Sequence, residues 1–425
     1  MTNKKLLVLG GSSASLDVVK IAKKMGVYTI VTDDRPSGAA KDIADEAAMV
    51  STIDMDGLLQ LIRQKNIDGV FCGPSEFNII NTMKICSLAG LPFYATKEQW
   101  DICSNKDRFK QLCRDNAVPC VPEYTLTADF LEDDLKNIEY PVIVKPVDGC
   151  SSKGISVCRS AGELKTAFAN ALEYSQSGRV IVEKYVENGG VVTSVRYIAC
   201  HGELYCSLLG DTYVVDPVNR TALISAVTVF PSKLTGSYLA GTDQKVKEMF
   251  KSIGFKNGAL FMQSLPEDGW VYFHEMGLRL SGGLTYKITE AANGVNDLAM
   301  MIRFALGGEM CVENELKRID PYLGGRLAVS FCVPLKIGAV ASVAGVEEIL
   351  RTLPIEDFIQ YYAVGDCVTP EKIGTLMQHF GRFKFFAAGK EEIAAVIDTI
   401  QNTLKITDTD GNDMLYMRFD TNRLA

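Results

Sequence analysis

Ala259-Leu260-Phe261-Met262-Gln263, a turn at Pro266-Glu267-Asp268-Gly269, and then Val271-Tyr272-Phe273-His274-Glu275-Met276-Gly277-Leu278-Arg279-Leu280-Ser281-Gly282-Gly283 decide how this chain is read. Two apolar runs flank a turn dipeptide, which predicts a β-hairpin. Strand alternation then puts Glu275, Gly277 and Arg279 on one face, with Gln263 on the neighbouring strand. A carboxylate and a guanidinium that leave a sheet together are costly to bury without partners. One solution is a salt bridge between them. Another is a Mg²⁺-bound polyphosphate, with Glu275 and Gln263 toward the metal and Arg279 toward a phosphoryl oxygen.

Upstream lie two further elements. Val142-Ile143-Val144-Lys145-Pro146 runs into the small-residue loop Val147 to Gly154, and a second strand starts at Ile155. Such a loop can fold over a polyphosphate. Its N–H groups and the hydroxyls of Ser151 and Ser152 then donate to phosphate oxygens, Gly154 closes the loop, and Lys145 supplies positive charge. It is not a Walker loop, because no Gly-x-x-x-x-Gly-Lys-Ser/Thr precedes a helix; an ordinary hairpin tip would look the same. Next, Arg179-Val180-Ile181-Val182-Glu183-Lys184-Tyr185-Val186 is an apolar strand that ends in an acid and an open main-chain edge. That arrangement suits an adenine ring, with Glu183 accepting from the exocyclic amine and the backbone of Lys184, Tyr185 and Val186 alongside. A solvated strand end is the plain alternative.

Taken in this order and spacing, the three elements resemble the ATP-grasp superfamily, over about residues 1–310. The opening strand–helix–strand alternation with Thr32-Asp33-Asp34-Arg35-Pro36 is similar to the domain that precedes the grasp in carbamoyl-phosphate synthetase, biotin carboxylase and phosphoribosylglycinamide synthetase. The resemblance implies an α/β and α+β chain with the ATP-grasp fold: a Rossmann-like domain at 1–95, a linker helix and small subdomain at 96–190, a large subdomain at 191–320, and a small C-terminal α+β subdomain at 321–425. It further implies ATP and Mg²⁺ as cofactors, Lys106 and Lys145 on phosphates, Glu183 to Val186 on adenine, Gln263 and Glu275 as metal ligands, and Arg279 on the transferred phosphoryl group. The activity it implies is that of a ligase activating a carboxylate for attack by an amine. Segments such as Val364-Gly365-Asp366 and Gly389-Lys390-Glu391-Glu392 look like the C-terminal part of ATP-grasp amino-acid ligases.

The chain departs from the family at three points. Gln263 stands where an acid is usual, Gly277 stands where an asparagine is usual, and no ribose-holding acid follows Glu183 except Glu187. The first two motivate a second reading, a nucleotide-binding protein without turnover. A third, a nucleotide-linked dehydrogenase, follows from Gly10-Gly11 after the first strand and Asp33 after the second. Ser12 and Ser15, however, occupy the positions of the other two glycines.

Bulk properties narrow the rest. With 44 Lys+Arg against 52 Asp+Glu there is no excess of positive charge for a duplex nucleic acid. The apolar part of the opening segment is too short for a signal peptide, and no stretch reads as a transmembrane helix. The 12 cysteines form no Cys-x-x-Cys pair and the 3 histidines show no ligand spacing, so reduced buried thiols in the cytoplasm and no zinc site are expected. A homodimer is compatible with the resemblance, and no interface can be read from the sequence.

Overall fold

The computed structural model describes residues 3–147, 154–215 and 224–424. Four strands open the chain: β1 (Lys5–Leu9), β2 (Tyr28–Thr32), β3 (Glu46–Ala48) and β4 (Gly69–Cys72). They form a parallel sheet in the order β3-β2-β1-β4. Leu6, Leu7, Val8 and Leu9 are all buried, as expected when helices cover both faces of a parallel sheet.

A second sheet contains β5 (Glu123–Tyr124), β6 (Val142–Pro146), β7 (Ser156–Cys158) and β8 (Val180–Lys184) in the order β5-β8-β6-β7. The helix Ala161–Glu173 closes its core through Leu164, Ala167 and Ala171 against Val142, Val144 and Val182. The helix Lys106–Asp115 packs against the hairpin discussed above.

The largest sheet starts with β9 (Val191–Cys200), β10 (Glu203–Val214), β11 (Ser225–Phe230), β12 (Gly258–Glu267), β13 (Trp270–Gly277) and β14 (Leu327–Pro334). Short ribbons pair β15 (Gly338–Ala339) with β18 (Cys367–Val368) and β16 (Ser342–Ala344) with β20 (Lys405–Thr407). With β17 (Ile355–Gln360) and β19 (His379–Ala387), the large sheet has eight antiparallel strands in the order β13-β12-β9-β10-β11-β14-β19-β17. The expected boundary at 320/321 therefore falls inside one sheet. β11 pairs with β14, which lies beyond that boundary, through Val227–Phe331, Thr228–Ser330 and Val229–Val329.

The β12–β13 hairpin forms as its turn residues demand. Asp268 and Gly269 have φ of 51° and 81°, the two positive values of a type I′ turn. The expectation of reduced cysteines throughout is corrected at one place. Cys200 and Cys311, 111 residues apart, are joined as a disulfide, while nine other cysteines are free thiols among the described residues. No local pattern marks the pair, because the end of β9 and the segment after the helix Asp297–Gly307 meet only in the fold.

Candidate functional site

The register of the large sheet builds a polar row. Glu275 lies directly opposite Gln263, Gln263 opposite Ser194, and Ser194 opposite Gly210. Directly opposed residues share a face, so the two residues predicted as metal ligands are neighbours on the sheet. A bulge follows: Ser264 pairs with Phe273, which leaves His274 as the extra residue. Glu275 and Gln263 are half-buried, and among the described residues neither side chain has a hydrogen-bond or ion-pair partner. A carboxylate and an amide oxygen free on one sheet face fit a divalent cation, which needs one or two carboxylates in addition to phosphate oxygens.

Arg279 lies past the end of β13 and is not paired with Glu275. Its guanidinium binds Glu76 of the N-terminal domain at 3.0 Å and the Leu280 carbonyl at 3.0 Å, and its Cζ lies 5.1 Å from the centre of the Phe261 ring. Phe261 is the cross-strand partner of Gly277. A Cβ on Gly277 would lie 2.4 Å from that ring, so the ring fills the space in which the family's asparagine would extend. The glycine is thus the sterically required partner of a Phe261–Arg279 stack. Gly277→Ala is expected to cost about 1–3 kcal/mol of stability, read from the urea unfolding midpoint. A neutral result would mean that Phe261 does not hold its place.

The second sheet contributes a charge network. Glu183 is buried, and its two oxygens are taken by Lys110 and by Lys145, the latter at 2.6 Å. Burial opposes ionisation of Glu183, but Lys145 and Lys110 outweigh it and hold the carboxyl at about 2. Both oxygens of Glu183, expected to face an exocyclic amine, hold lysines in this fold. Lys145, inside β6, is largely buried beside Glu183; burial lowers its pKa and the Glu183 carboxylate opposes that shift. Lys110, invisible to motif reasoning, is fully buried and also binds Glu123 at 2.9 Å. Lys106, one helical turn before Lys110 and half-buried, has no ion-pair partner among the described residues and is close enough to Lys145 to repel it.

Of the expected adenine-contacting backbone, Lys184 N–H donates to Pro122 O and Tyr185 N–H to Pro141 O, at 2.9 and 3.0 Å. The buried Val186 N–H has no such acceptor among the described residues and is the group left to meet a base edge. The Lys184 ammonium is tied to Glu267 of the hairpin. Glu187 is exposed beside it, and its N–H donates to the same Glu267. Gly154 has φ 72° and packs against Tyr174, where a Cβ would lie 2.9 Å from the tyrosine Cβ. Ser151 and Ser152 lie outside the described residues.

Sequence reasoning missed several groups. His274 has a buried, unpartnered Nδ1. Burial, opposed by Glu275, and the nearby Lys145 and Lys110 bring it down to about 4, so its imidazole is neutral at pH 7. Arg382 and Lys384 on β19 are buried and donate to the carbonyls of Gly282 and Leu284, at 3.2 and 3.0 Å. They therefore grip the turn after Arg279. Burial brings Lys384 down to about 7 despite Asp357. Arg196 shares the Ser194 face of β9, donates to Ser194 at 3.1 Å, and stacks on Phe230. These cations come from two distant parts of the chain, β9 and β19, so no local motif announces them.

The N-terminal domain removes the dinucleotide alternative. Asp33 accepts from Gly11 N–H at 2.8 Å and pairs with the buried Lys41 at 2.7 Å, so its carboxylate is used within the protein. Asn78 occupies the space beside Gly10, with Nδ2 2.6 Å from where a Cβ would be.

Comparison with known proteins places this geometry. A family model described as D-ala D-ala ligase C-terminus matches residues 120–276. The formate-dependent phosphoribosylglycinamide formyltransferase of Bacillus subtilis (strain 168) is 26% identical over 214 residues, 49% of this chain and 55% of the relative, so the chain spans about half of that protein's length. Among solved structures, an L-amino acid ligase from Bacillus licheniformis superposes with a TM-score of 0.75 at 19% identity, covering 96% of this chain and 100% of that one. The biotin carboxylase domain of Hydrogenobacter thermophilus 2-oxoglutarate carboxylase, solved with MgADP and bicarbonate, gives 0.75 at 20% identity, with 96% and 91% covered.

Proposed function

We propose that this chain, which belongs to the ATP-grasp superfamily and has its fold, is an ATP-dependent ligase joining a small carboxylate to an amine. The observation that carries this reading is the Glu275–Gln263 pair on one sheet face, with Lys145 near enough to act on the same His274 as Glu275, and Lys106 near enough to act on Lys145. Val186 N–H takes an adenine edge, and Lys106 and Lys145 neutralise phosphates. Glu275 and Gln263 hold Mg²⁺, which supplies charge neutralisation on the phosphates.

Chemistry then needs little beyond positioning. A carboxylate oxygen of the substrate attacks the γ-phosphorus, ADP leaves, and an acyl phosphate forms. Arg279 binds the phosphoryl oxygens, where charge concentrates. The amine nitrogen attacks the acyl carbon, phosphate departs, and the proton lost from nitrogen goes to solvent or a nearby base. Arg196, Arg382 and Lys384, with Asp297 near Arg196 and Asp357 near the other two, give the sheet floor next to the Ser281–Leu284 turn three basic groups against two acids. That supports an anionic acceptor such as a carboxylate.

Free thiols at nine positions support a reducing compartment, and we place the protein in the cytoplasm, as a homodimer acting on small molecules rather than on nucleic acid. Among the described residues no helix is long and apolar enough to cross a membrane.

The test is ADP and phosphate release from MgATP with pools of amino acids and small carboxylates. Release that requires one carboxylate and one amine together establishes the ligase. A second reading, nucleotide binding without turnover, is favoured by Gln263, which leaves Glu275 as the one carboxylate of the pair, and by the Phe261 ring, which fills the space beside Gly277. ATP binding with no release against any pool would select it.

A further inference from the structure

The tip of the β9–β10 hairpin and the segment after the helix Asp297–Gly307 meet on a face of the large sheet remote from the nucleotide groups. His201 and Gly202 form the two-residue turn between Cys200 and its cross-strand partner Glu203. His201 has φ 53° and Gly202 φ 88°, again the two positive values of a type I′ turn. This geometry turns the imidazole of His201 back toward Cys200. From the other side, Gly308 ends the helix, and Glu309, Met310 and Cys311 follow, with Met310 and Cys311 buried. The Cys200 and Cys311 sulfurs and a His201 ring nitrogen all lie within 4.8 Å of one another. The Glu309 carboxylate is 3.8 Å from His201 Nε2. Ser194, in the polar row, is six residues before Cys200 on the same extended strand, which puts the two about 20 Å apart.

We infer that Cys200, His201 and Cys311 form a binding site for a thiophilic divalent cation, Zn²⁺, with Glu309 or water as fourth ligand. The ligand set is two soft sulfurs, one imidazole and one oxygen. Zinc bonds of about 2.0–2.3 Å place tetrahedral ligands roughly 3.3–3.8 Å apart, so the two sulfurs, bonded to each other in the disulfide, move apart as that bond opens, while the imidazole nitrogen already lies within 4.8 Å of both. The Cα–Cα distance of 6.4 Å between the cysteines allows either a shared cation or the disulfide. The surroundings favour the cation. The chain keeps nine other described cysteines as thiols, whereas this pair has an exposed imidazole within 4.8 Å of both sulfurs and a carboxylate beside that imidazole. Under reducing conditions a cysteine pair flanked by histidine is better matched to metal than to a persistent disulfide.

Access to the site from the disulfide form is a balanced exchange. Two equivalents of a small thiol reductant supply two electrons and two protons, the Cys200–Cys311 bond opens to two thiols, and the reductant leaves as its own disulfide. Zinc then binds as both thiols release their protons to water.

The experiment uses the full chain, reduced and freed of reductant, titrated with Co²⁺ as a spectroscopic probe and then with Zn²⁺. The expected result is one Co²⁺ per chain, with a near-ultraviolet thiolate-to-cobalt band that one equivalent of Zn²⁺ removes. Cys200→Ser and Cys311→Ser abolish the band. His201→Gln, which alters an exposed side chain and so leaves the fold intact, weakens binding at least about tenfold. The melting temperature rises with Zn²⁺ in the parent chain and much less in His201→Gln. A reduced chain that binds no Co²⁺, a Co²⁺ spectrum unchanged in Cys311→Ser, or a pair that only cycles between dithiol and disulfide overturns the site.

Discussion

Replacing Arg279 with alanine is expected to reduce ligase turnover by at least about 10²–10³-fold while MgATP still binds. The structure separates the two effects. The Val186 N–H and the Lys106 and Lys145 ammonium groups, which we propose for adenine and phosphates, belong to other elements, so nucleotide affinity is not expected to depend on this guanidinium. The fold does not depend on it either. Its ion pair is with a largely exposed Glu76, a type of contact worth about 1 kcal/mol or less. What is lost is a planar donor seated on the Phe261 ring. Arg279→Lys is therefore expected to recover little, because an ammonium neither stacks in the same way nor presents two parallel donors. Steady-state rates together with calorimetric ATP binding decide the point. Turnover retained in Arg279→Ala would remove this residue from phosphoryl transfer.

The largest stability effect is expected from Lys110→Met, at roughly 3–5 kcal/mol. Lys110 has no solvent exposure and links Glu183 to Glu123. Burial works against its charge, yet the two carboxylates hold its pKa above the ordinary lysine value. Methionine fills the same volume and removes the charge. Glu183 is then left with Lys145, and Glu123 with the partly exposed Arg114. The cost comes from desolvated carboxylate that loses its partner, so Lys110→Met with Glu183→Gln is expected to be less damaging than the sum of the single changes. Urea unfolding of the three variants measures the coupling. A loss under about 1 kcal/mol for Lys110→Met would mean that water reaches the network.

Several features were legible because they depend on short-range rules. Asp268-Gly269 fixes its hairpin through two positive φ values, and that hairpin places Gln263 across from Glu275. Strands read at Val142 to Lys145 and Val180 to Glu183 form as Val142–Pro146 and Val180–Lys184, because their apolar runs pair within one sheet. Lys110 was not legible. It sits in the polar helix segment Lys-Asp-Arg-Phe-Lys-Gln, which looks solvated, and its partner Glu183 is 73 residues away. Gly277 advertised a missing ligand, but the reason for it, a phenylalanine ring from the opposing strand, exists only after pairing. Arg382 and Lys384 read as a basic strand end and act on a turn 100 residues earlier. The placement of β14 beside β11 depends on sheet completion, which no local pattern encodes.

The continuity of the large sheet also limits how the gene can be edited. A fragment stopped at residue 320 would keep the groups we propose for the nucleotide yet lose the strands that cover one side of β11. The unpaired N–H and C=O groups of Val227 and Val229 would then be offered to any neighbouring chain, together with the apolar surface that Phe331, Phe383 and Phe385 now cover. A minimal nucleotide-binding module must therefore include β14, β17 and β19. Insertions and tags are better placed in exposed turns such as the one at Asp410 and Gly411, where the backbone already reverses and no core side chain is displaced.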